Sequence, residues 1–336
     1  MTTMSRVAIG HVQSMRAVVQ QGYGGIEVLR AGEAPVPNIG AREALVHVHA
    51  AGLDRGTWHL MTGRPYLMRL MGFGFWSPKH TVVGRDLAGT VIEVGAEVSR
   101  VRVGDAVFGI GEGSFAEYAR AVETKLSQKP EALTFEQAAV TPTSGLTALQ
   151  ALDAARVEAG QRVLIVGASG GVGTFAVQLA RARGASVTGV CSTSKVELVH
   201  SLGAEEVIDY HMRDFTDSPE RYDAILDIGG NTPLSKLRRT LTPAGTLVFV
   251  GGEQGGDWSA GFGRQLLAFA MSPFTRQRFV MLMNRGHYEG LDRLAEHVAR
   301  GELRPVLQRS WPLAGAVNAM RELEAGLVSG KVAIVP

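Results

Sequence analysis

The chain has 336 residues, enough for about two domains and a sizeable core, so neither a metal nor a disulfide is needed to hold the fold. Its 34 Lys and Arg against 32 Asp and Glu leave a net charge of +2, which gives no electrostatic case for nucleic acid or an acidic membrane surface. The one cysteine, Cys191, excludes an internal disulfide and any cysteine-rich metal cluster, and accords with a reducing, cytoplasmic setting.

Residues 1–14 carry no apolar core of signal-peptide length and read as a ragged leader or the product of an upstream start site. No stretch reaches the ~18 apolar residues of a membrane span. The richest, Leu266 to Met283, is broken by Ser272-Pro273, Arg276 and Arg278. From Met15 onward short strands are expected: Met15 to Val19, the period-2 run Glu43 to Ala50, Leu87 to Gly95, Asp105 to Phe108 and Phe115 to Ala121. Glycine turns separate them, which suggests a small, partly closed barrel. After residue 140 the rhythm changes to strand–helix–strand. Arg162 to Val166, Ser186 to Val190, Glu206 to Asp209, Ala224 to Ile228 and Gly245 to Gly251 read as strands. Gly171 to Arg183 and Lys195 to Leu202 read as helices between them. That alternation implies a parallel sheet covered on both faces. A helix over Glu289 to Arg300 leads to final strands of barrel style, ending with Lys331 to Val335, so the chain is expected to return to its first domain.

The strongest chemical feature is Gly167-Ala168-Ser169-Gly170-Gly171-Val172-Gly173, which follows a strand and opens a helix. Aligned to G-x-G-x-x-G it has alanine at the first glycine. Glycine lets backbone approach a diphosphate, and the free N–H groups of a helix start carry partial positive charge. Ser169, Gly170, Gly171 and Val172 are therefore candidate cofactor contacts. About 20 residues on, NAD sites place an acid at the end of the next strand. Here Cys191-Ser192-Thr193-Ser194-Lys195 stands instead. Hydroxyls and a lysine suit a 2′-phosphate, so Ser192, Thr193 and Lys195 point to NADPH, although they can equally cap the following helix. Gly251-Gly252 ends a strand at the carboxyl edge of the sheet, where open α/β sheets bind ligands, and is expected near the nicotinamide.

Five segments together resemble the medium-chain dehydrogenase/reductase superfamily: Val83 to Gly89, Gly104 to Gly109, Gly113 to Tyr118, Gly145 to Ala148 and the glycine loop. The resemblance spans residues 15–336 and is strongest to the zinc-independent quinone oxidoreductase branch. It implies an α/β architecture in which a Rossmann-type doubly wound parallel sheet is inserted in a GroES-like barrel. The expected divisions are 1–141, 142–275 and a return over 276–336. It also places Thr143 and Thr147 beside the nicotinamide ribose and Tyr210 beside the adenosine 2′-phosphate.

Zinc-dependent relatives carry a cysteine in the segment matching Ala51 to Gly56 and a histidine in a Gly-His-Glu motif. The present chain has no such cysteine, and Arg85 stands where the histidine would. No metal is expected. Without zinc an alkoxide lacks its Lewis acid, which turns the chemistry toward hydride addition to a quinone or an α,β-unsaturated carbonyl. The catalytic candidates are Asp54, which can act chemically or hold its loop by accepting backbone N–H bonds, and Tyr66, which can donate to an enolate or wall the pocket. A reductase of enoyl thioesters or biosynthetic enones, and a non-catalytic NADPH-binding regulatory protein, remain open alternatives. His47 and His49 share a strand face without a third ligand, and His59 has no evident partner. Phe73 and Trp76 suggest an apolar lid or pocket edge. The Met-rich stretch from Phe262 to Met283 is expected to cover the cleft or to join two subunits in a homodimer.

Overall fold

A computed structural model describes residues 13–66, 69, 74–230, 232–251 and 262–336. The expected leader over residues 1–14 falls almost wholly outside the described residues, as do Phe73 and Gly252.

The first part of the chain builds an antiparallel barrel. Strands β1 (Ser14–Gln20) and β2 (Leu29–Pro35) form a hairpin. Strands β3 (Glu43–Leu53), β4 (Asp86–Val94), β5 (Ala106–Ile110), β6 (Tyr118–Val122) and β7 (Leu126–Gln128) follow, with helix α1 (Arg55–Thr62) after β3. The C-terminal strands β14 (Leu307–Pro312) and β15 (Lys331–Val335) complete a seven-stranded sheet of order β14-β15-β3-β4-β5-β7, with β6 on β3. The hairpin closes on this sheet through backbone bonds from Val18 to Phe115 and from Val83 to Val18. Alternate residues of β3 and β4 pack inward, so Val46, Val48, Leu87 and Val91 share one buried cluster with Val332 and Ile334. That apolar burial is the main favourable contribution to the barrel.

Helices α2 (Phe135–Ala139) and α3 (Pro142–Ala155) carry the chain into the second domain. Thr134 begins α2 with a reciprocal capping box to Gln137. Strands β8 (Arg162–Val166), β9 (Ser186–Cys191), β10 (Glu206–Asp209), β11 (Tyr222–Asp227), β12 (Leu241–Phe249) and β13 (Arg278–Met281) make a six-stranded parallel sheet, order β10-β9-β8-β11-β12-β13. Val163 and Ile165 face one buried cluster, which includes residues of α3, α4 (Gly171–Ala182) and α8 (Tyr288–Ala299). Leu164 and Val166 face the other, with α6 (Leu234–Thr240) and α7 (Phe262–Met271). Both faces of a strand are thus apolar, which is why the strand reads as a continuous run rather than an alternation. Helices α5 (Val196–Ser201) and α9 (Ala316–Glu324) complete the fold. The observed architecture is the expected doubly wound α/β sheet set within a barrel domain.

One domain boundary differs from expectation. Strand β13 pairs with β12, so the chain is still in the parallel sheet at Met281 and does not leave it at residue 275. Helix α1 and strand β13 had no sequence signal of their own. The first has eight residues and the second four, too few for a repeating apolar pattern to stand out.

Candidate active site between the two domains

Strand β8 ends in a tight turn at Gly167, whose φ of +90° favours glycine. Helix α4 then begins at Gly171 with Gly170 as its N-cap, and no side chain caps it. Its first N–H groups therefore remain available as donors. Three glycines in this loop have three different reasons. A Cβ at Gly173 would lie 2.2 Å from the Gly167 carbonyl oxygen, so helix and turn are in backbone contact. At Gly171 it would lie 2.9 Å from Lys331 Cδ and 3.1 Å from Ser144 Oγ. At Gly170 its nearest neighbour would be 3.5 Å away, which is ordinary contact. Packing within the chain demands glycine at 173 and leaves 170 open for something the protein does not itself supply.

Lys331 has no sequence signal, yet it lies beside this loop. It is the first residue of β15, only 2% exposed, and its Nζ has no hydrogen-bond partner. The neighbouring Gly330 N–H donates to the Ser169 carbonyl at 2.9 Å, joining the last strand of the barrel to the glycine loop. The barrel strands converge at the same edge. Asp86 opens β4, and Asp54 directly follows β3, which lies between β4 and β15.

Asp86 is fully buried. Burial, the nearby Asp54 carboxylate, and against these Lys331 and Thr143, leave its pKa raised to about 7. Its oxygens accept from the Thr143 hydroxyl at 2.5 Å and the Thr143 N–H at 3.1 Å. Thr143 and Thr147, both candidate ribose contacts, lie on one face of α3, and the Thr147 hydroxyl donates to the Thr143 carbonyl at 2.6 Å. Asn284, another residue without a sequence signal, donates from Nδ2 to the Thr143 carbonyl and to Thr147 Oγ1. One polar chain thus runs from the barrel, through α3, to the segment after β13.

Asp54 is the N-cap of α1. Its Oδ1 accepts from the Thr57 N–H at 2.7 Å and the Thr57 hydroxyl at 3.0 Å, while Oδ2 is buried without a partner. The cap contributes about 1 kcal/mol to the helix start. Tyr66 lies beyond the C-terminus of α1, with the Arg69 guanidinium 4.7 Å from its ring centroid. His59, which the sequence leaves without a partner, pairs through Nδ1 with the Arg64 carbonyl at 2.8 Å. Among the described residues Asp54 is thus grouped with Asp86 and Lys331, while Tyr66 lies beyond the C-terminus of α1.

At the far end of the sheet, Ser192 N-caps a short turn and Tyr210 is exposed, its N–H donating to the Cys191 carbonyl. Lys195 Nζ donates to the carbonyls of Gly326 and Val328, at 3.2 and 3.0 Å, so it also ties the C-terminal segment to this domain. Burial lowers its pKa, which Cys191 partly offsets. Strand β9 supplies no acid, as the sequence shows, but β10 brings one: Asp209 pairs in register with Cys191. Its carboxylate accepts from Thr193 and from the His211 N–H, and these bonds hold it below the usual carboxylate range. Cys191 is buried, and burial raises its thiol to about 11, which removes it as a nucleophile.

Gly251 belongs to the carboxyl edge. A Cβ there would lie 2.1 Å from the Ile228 carbonyl oxygen, and its N–H donates to the Asp227 carbonyl. The buried Asp227 side chain accepts from Arg264 of α7 at 2.7 Å and from the Gly230 N–H at 3.2 Å. This ion pair anchors α7 at the edge.

The residues at the barrel edge do not fit a tetrahedral zinc. Asp54, Arg85 and Asp86 offer no thiolate and no imidazole. Among the described residues no group of three His, Cys, Asp or Glu could hold a metal ion. His47 and His49 are instead part of a ring stack, with His49 4.3 Å from Phe135 and bonded to Thr90 Oγ1.

Comparison with known proteins agrees with this geometry. Residues 40–131 match the alcohol dehydrogenase GroES-like domain, and residues 202–334 match the family described as zinc-binding dehydrogenase. The chain is 32% identical to the quinone-oxidoreductase QR1 of Triphysaria versicolor, covering 96% of this chain and 98% of that protein. It is 32% identical to the 2-methylene-furan-3-one reductase of Solanum lycopersicum, covering 96% and 79%. The solved quinone oxidoreductase of Coxiella burnetii superposes with a TM-score of 0.81 at 31% identity, covering 96% and 99%. With a GroES-like barrel, a parallel sheet opening on a glycine loop and relatives matched over nearly the whole chain, this protein belongs to the medium-chain dehydrogenase/reductase superfamily, in its quinone oxidoreductase-like group.

Proposed function

We propose that the protein is an NADPH-dependent, zinc-independent oxidoreductase that reduces a quinone or an α,β-unsaturated carbonyl. The observation that carries this reading is the donor set at the barrel edge: two buried carboxylates and an arginine stand there, beside an uncapped glycine loop. Alcohol oxidation would need a Lewis acid for the alkoxide, and these side chains do not build its site. A conjugated acceptor spreads the incoming charge onto oxygen, so orientation and hydrogen-bond donors suffice.

Bound NADPH would supply the hydride. The free N–H groups of Gly171 and Val172, with Ser169, Gly170 and Lys331, hold the diphosphate. Ser192, Thr193, Lys195 and Tyr210 hold the 2′-phosphate, while Asp209 is satisfied by its own donors. Thr143 and Thr147 would position the ribose, and Gly251 would line the nicotinamide side. With an enone, that hydride would go to the β-carbon, with the C=C electron pair shifting toward the carbonyl oxygen and a proton from water returning to the α-carbon. Of the two catalytic candidates, Asp54 shapes the site through its cap on α1, and Tyr66 forms part of the wall at the mouth.

Leu266, Leu267 and Phe274 are 67%, 54% and 90% exposed, and β13 is an edge strand of the parallel sheet. A homodimer covering this apolar surface follows as part of the reading. Light scattering coupled to gel filtration decides it: a monomer overturns the dimer. No described helix is long and apolar enough to cross a membrane. A cytoplasmic location remains part of the proposal, suggested by the single, buried thiol.

The test is NADPH oxidation with a panel of quinones and enones in the presence of a metal chelator. Turnover that survives the chelator and prefers NADPH to NADH supports the reading. Loss of turnover on chelation overturns zinc independence, and tight NADPH binding with no turnover on any acceptor favours a regulatory role.

A further inference from the structure

A cavity of about 360 Å³ opens against the barrel edge, with Leu60, Val82 and Val83 among its apolar lining. Among the described residues its charged lining is one-sided: Arg85, Lys79, His80 and Lys125 face one carboxylate, Glu112. Glu112 is already taken: Arg120 donates to it at 2.7 and 3.0 Å, and His80 is 3.6 Å away. Arg85 is half-buried, and among the described residues its guanidinium has no hydrogen bond or ion pair. Only its backbone is engaged, its carbonyl accepting from the Gly111 N–H at 2.8 Å. Arg85 directly precedes Asp86, whose carboxylate holds Thr143 on the cofactor side. The cavity is lined by barrel residues, and Arg85 brings it within one residue of the carboxyl group that bonds α3.

A guanidinium kept in a half-buried cavity with no carboxylate of its own is a poor wall for a neutral quinone. Partial desolvation without a partner is unfavourable, and a planar anion paired with it gains charge-assisted, bidentate bonds. We propose that the acceptor of this enzyme carries an anionic group, a carboxylate or its equivalent, next to the conjugated carbonyl, and that Arg85 binds it. Lys79, which is exposed, and Lys125 attract the same charge at longer range. This rests on the reductase reading above and specifies its substrate class.

Matched acceptors separate the charge from the chemistry. β-Acetylacrylate and its methyl ester share one enone and differ in the carboxylate. Their saturated products, levulinate and methyl levulinate, serve as binding probes that need no turnover. The wild-type protein should bind levulinate about tenfold more tightly than its ester, and kcat/KM should favour the acid over the ester by a similar factor. Arg85→Gln should abolish both preferences, Arg85→Lys should keep part of them, and Lys125→Gln should lower them about twofold. Raising the salt concentration should erode the preference of the wild type. Equal binding of acid and ester by the wild type, or a preference that survives Arg85→Gln, overturns the proposal. Should Arg85→Gln fail to fold, Arg85→Lys and the salt series decide by the same criterion. Failure of the reductase reading would look different: neither enone would be turned over, while the levulinate pair would still report on the cavity.

Discussion

The two edges that meet in the cleft are built in opposite ways. The glycine loop of the parallel sheet is one contiguous stretch, residues 167–173, whose chemistry lies in its backbone. The barrel edge gathers side chains from distant parts of the chain, Asp54, Asp86 and Lys331, and its chemistry lies in buried charge. A backbone site tolerates any side chain that does not obstruct it. A buried charge cluster depends on every member, because removing one leaves the others uncompensated. The first edge should therefore respond to substitution through sterics, and the second through pH and stability.

The largest effect should fall on the loop. Gly173→Val drives a side chain into the Gly167 carbonyl and should cost about 3 kcal/mol or more, read as a lowered urea midpoint. Gly170→Val, three residues away, should unfold at nearly the wild-type midpoint and still lose NADPH binding about tenfold or more, because the space it fills is open in the folded chain. Equal destabilisation by the two substitutions would break the distinction between packing glycine and binding glycine.

The barrel edge should answer to pH. Asp86 has a folded pKa of about 7 against 3.8 for the free side chain. Between those values the folded chain keeps a proton that the unfolded chain has lost. Stability should fall as pH rises through that window and level off above it. Asp86→Asn cannot ionise, so the difference in melting temperature between wild type and variant should shift with pH over that range, in favour of the variant at the upper end. A difference that stays flat with pH would mean that Asp86 does not carry the raised pKa.

Thr143→Val keeps the backbone bond to Asp86 but loses the hydroxyl. It should cost about 1–2 kcal/mol in denaturant unfolding, because the buried Asp86 carboxyl loses its hydroxyl donor while the bonds of Thr147 and Asn284 to the Thr143 carbonyl stay, and it should weaken cofactor binding through the proposed ribose contact. The smallest stability change should come from Lys195→Ala. Loss of its two carbonyl contacts should cost below about 1 kcal/mol, while NADPH affinity falls about tenfold more than NADH affinity. An equal loss for the two cofactors would leave Lys195 with a purely structural tie.

Much of the fold could be read along the chain. Arg162 to Val166 and Glu206 to Asp209 form strands at the expected residues, and Gly171 opens a helix as the loop requires. These elements are specified locally, by apolar runs, turns and a glycine start. Of the proposed site, the loop from Ser169 to Val172 could be located because a turn that opens a helix is a property of consecutive backbone. Lys331, Asn284 and Asp209 carry no such signal. Each acquires its place from strand order or from a contact across many residues: β15 beside β3, the segment after β13 against α3, and β10 beside β9.

The sequence alone determined the cofactor-loop chemistry and the lack of thiolate and imidazole ligands at the barrel edge, because both depend only on which residues stand next to one another. Tertiary structure decided which charges share a buried space. It placed Lys331 against the glycine loop, raised Asp86 through burial and the neighbouring Asp54, and left Arg85 without an ion pair among the described residues, in a cavity with cations. Proximity and desolvation set those properties, and neither is a function of spacing along the chain.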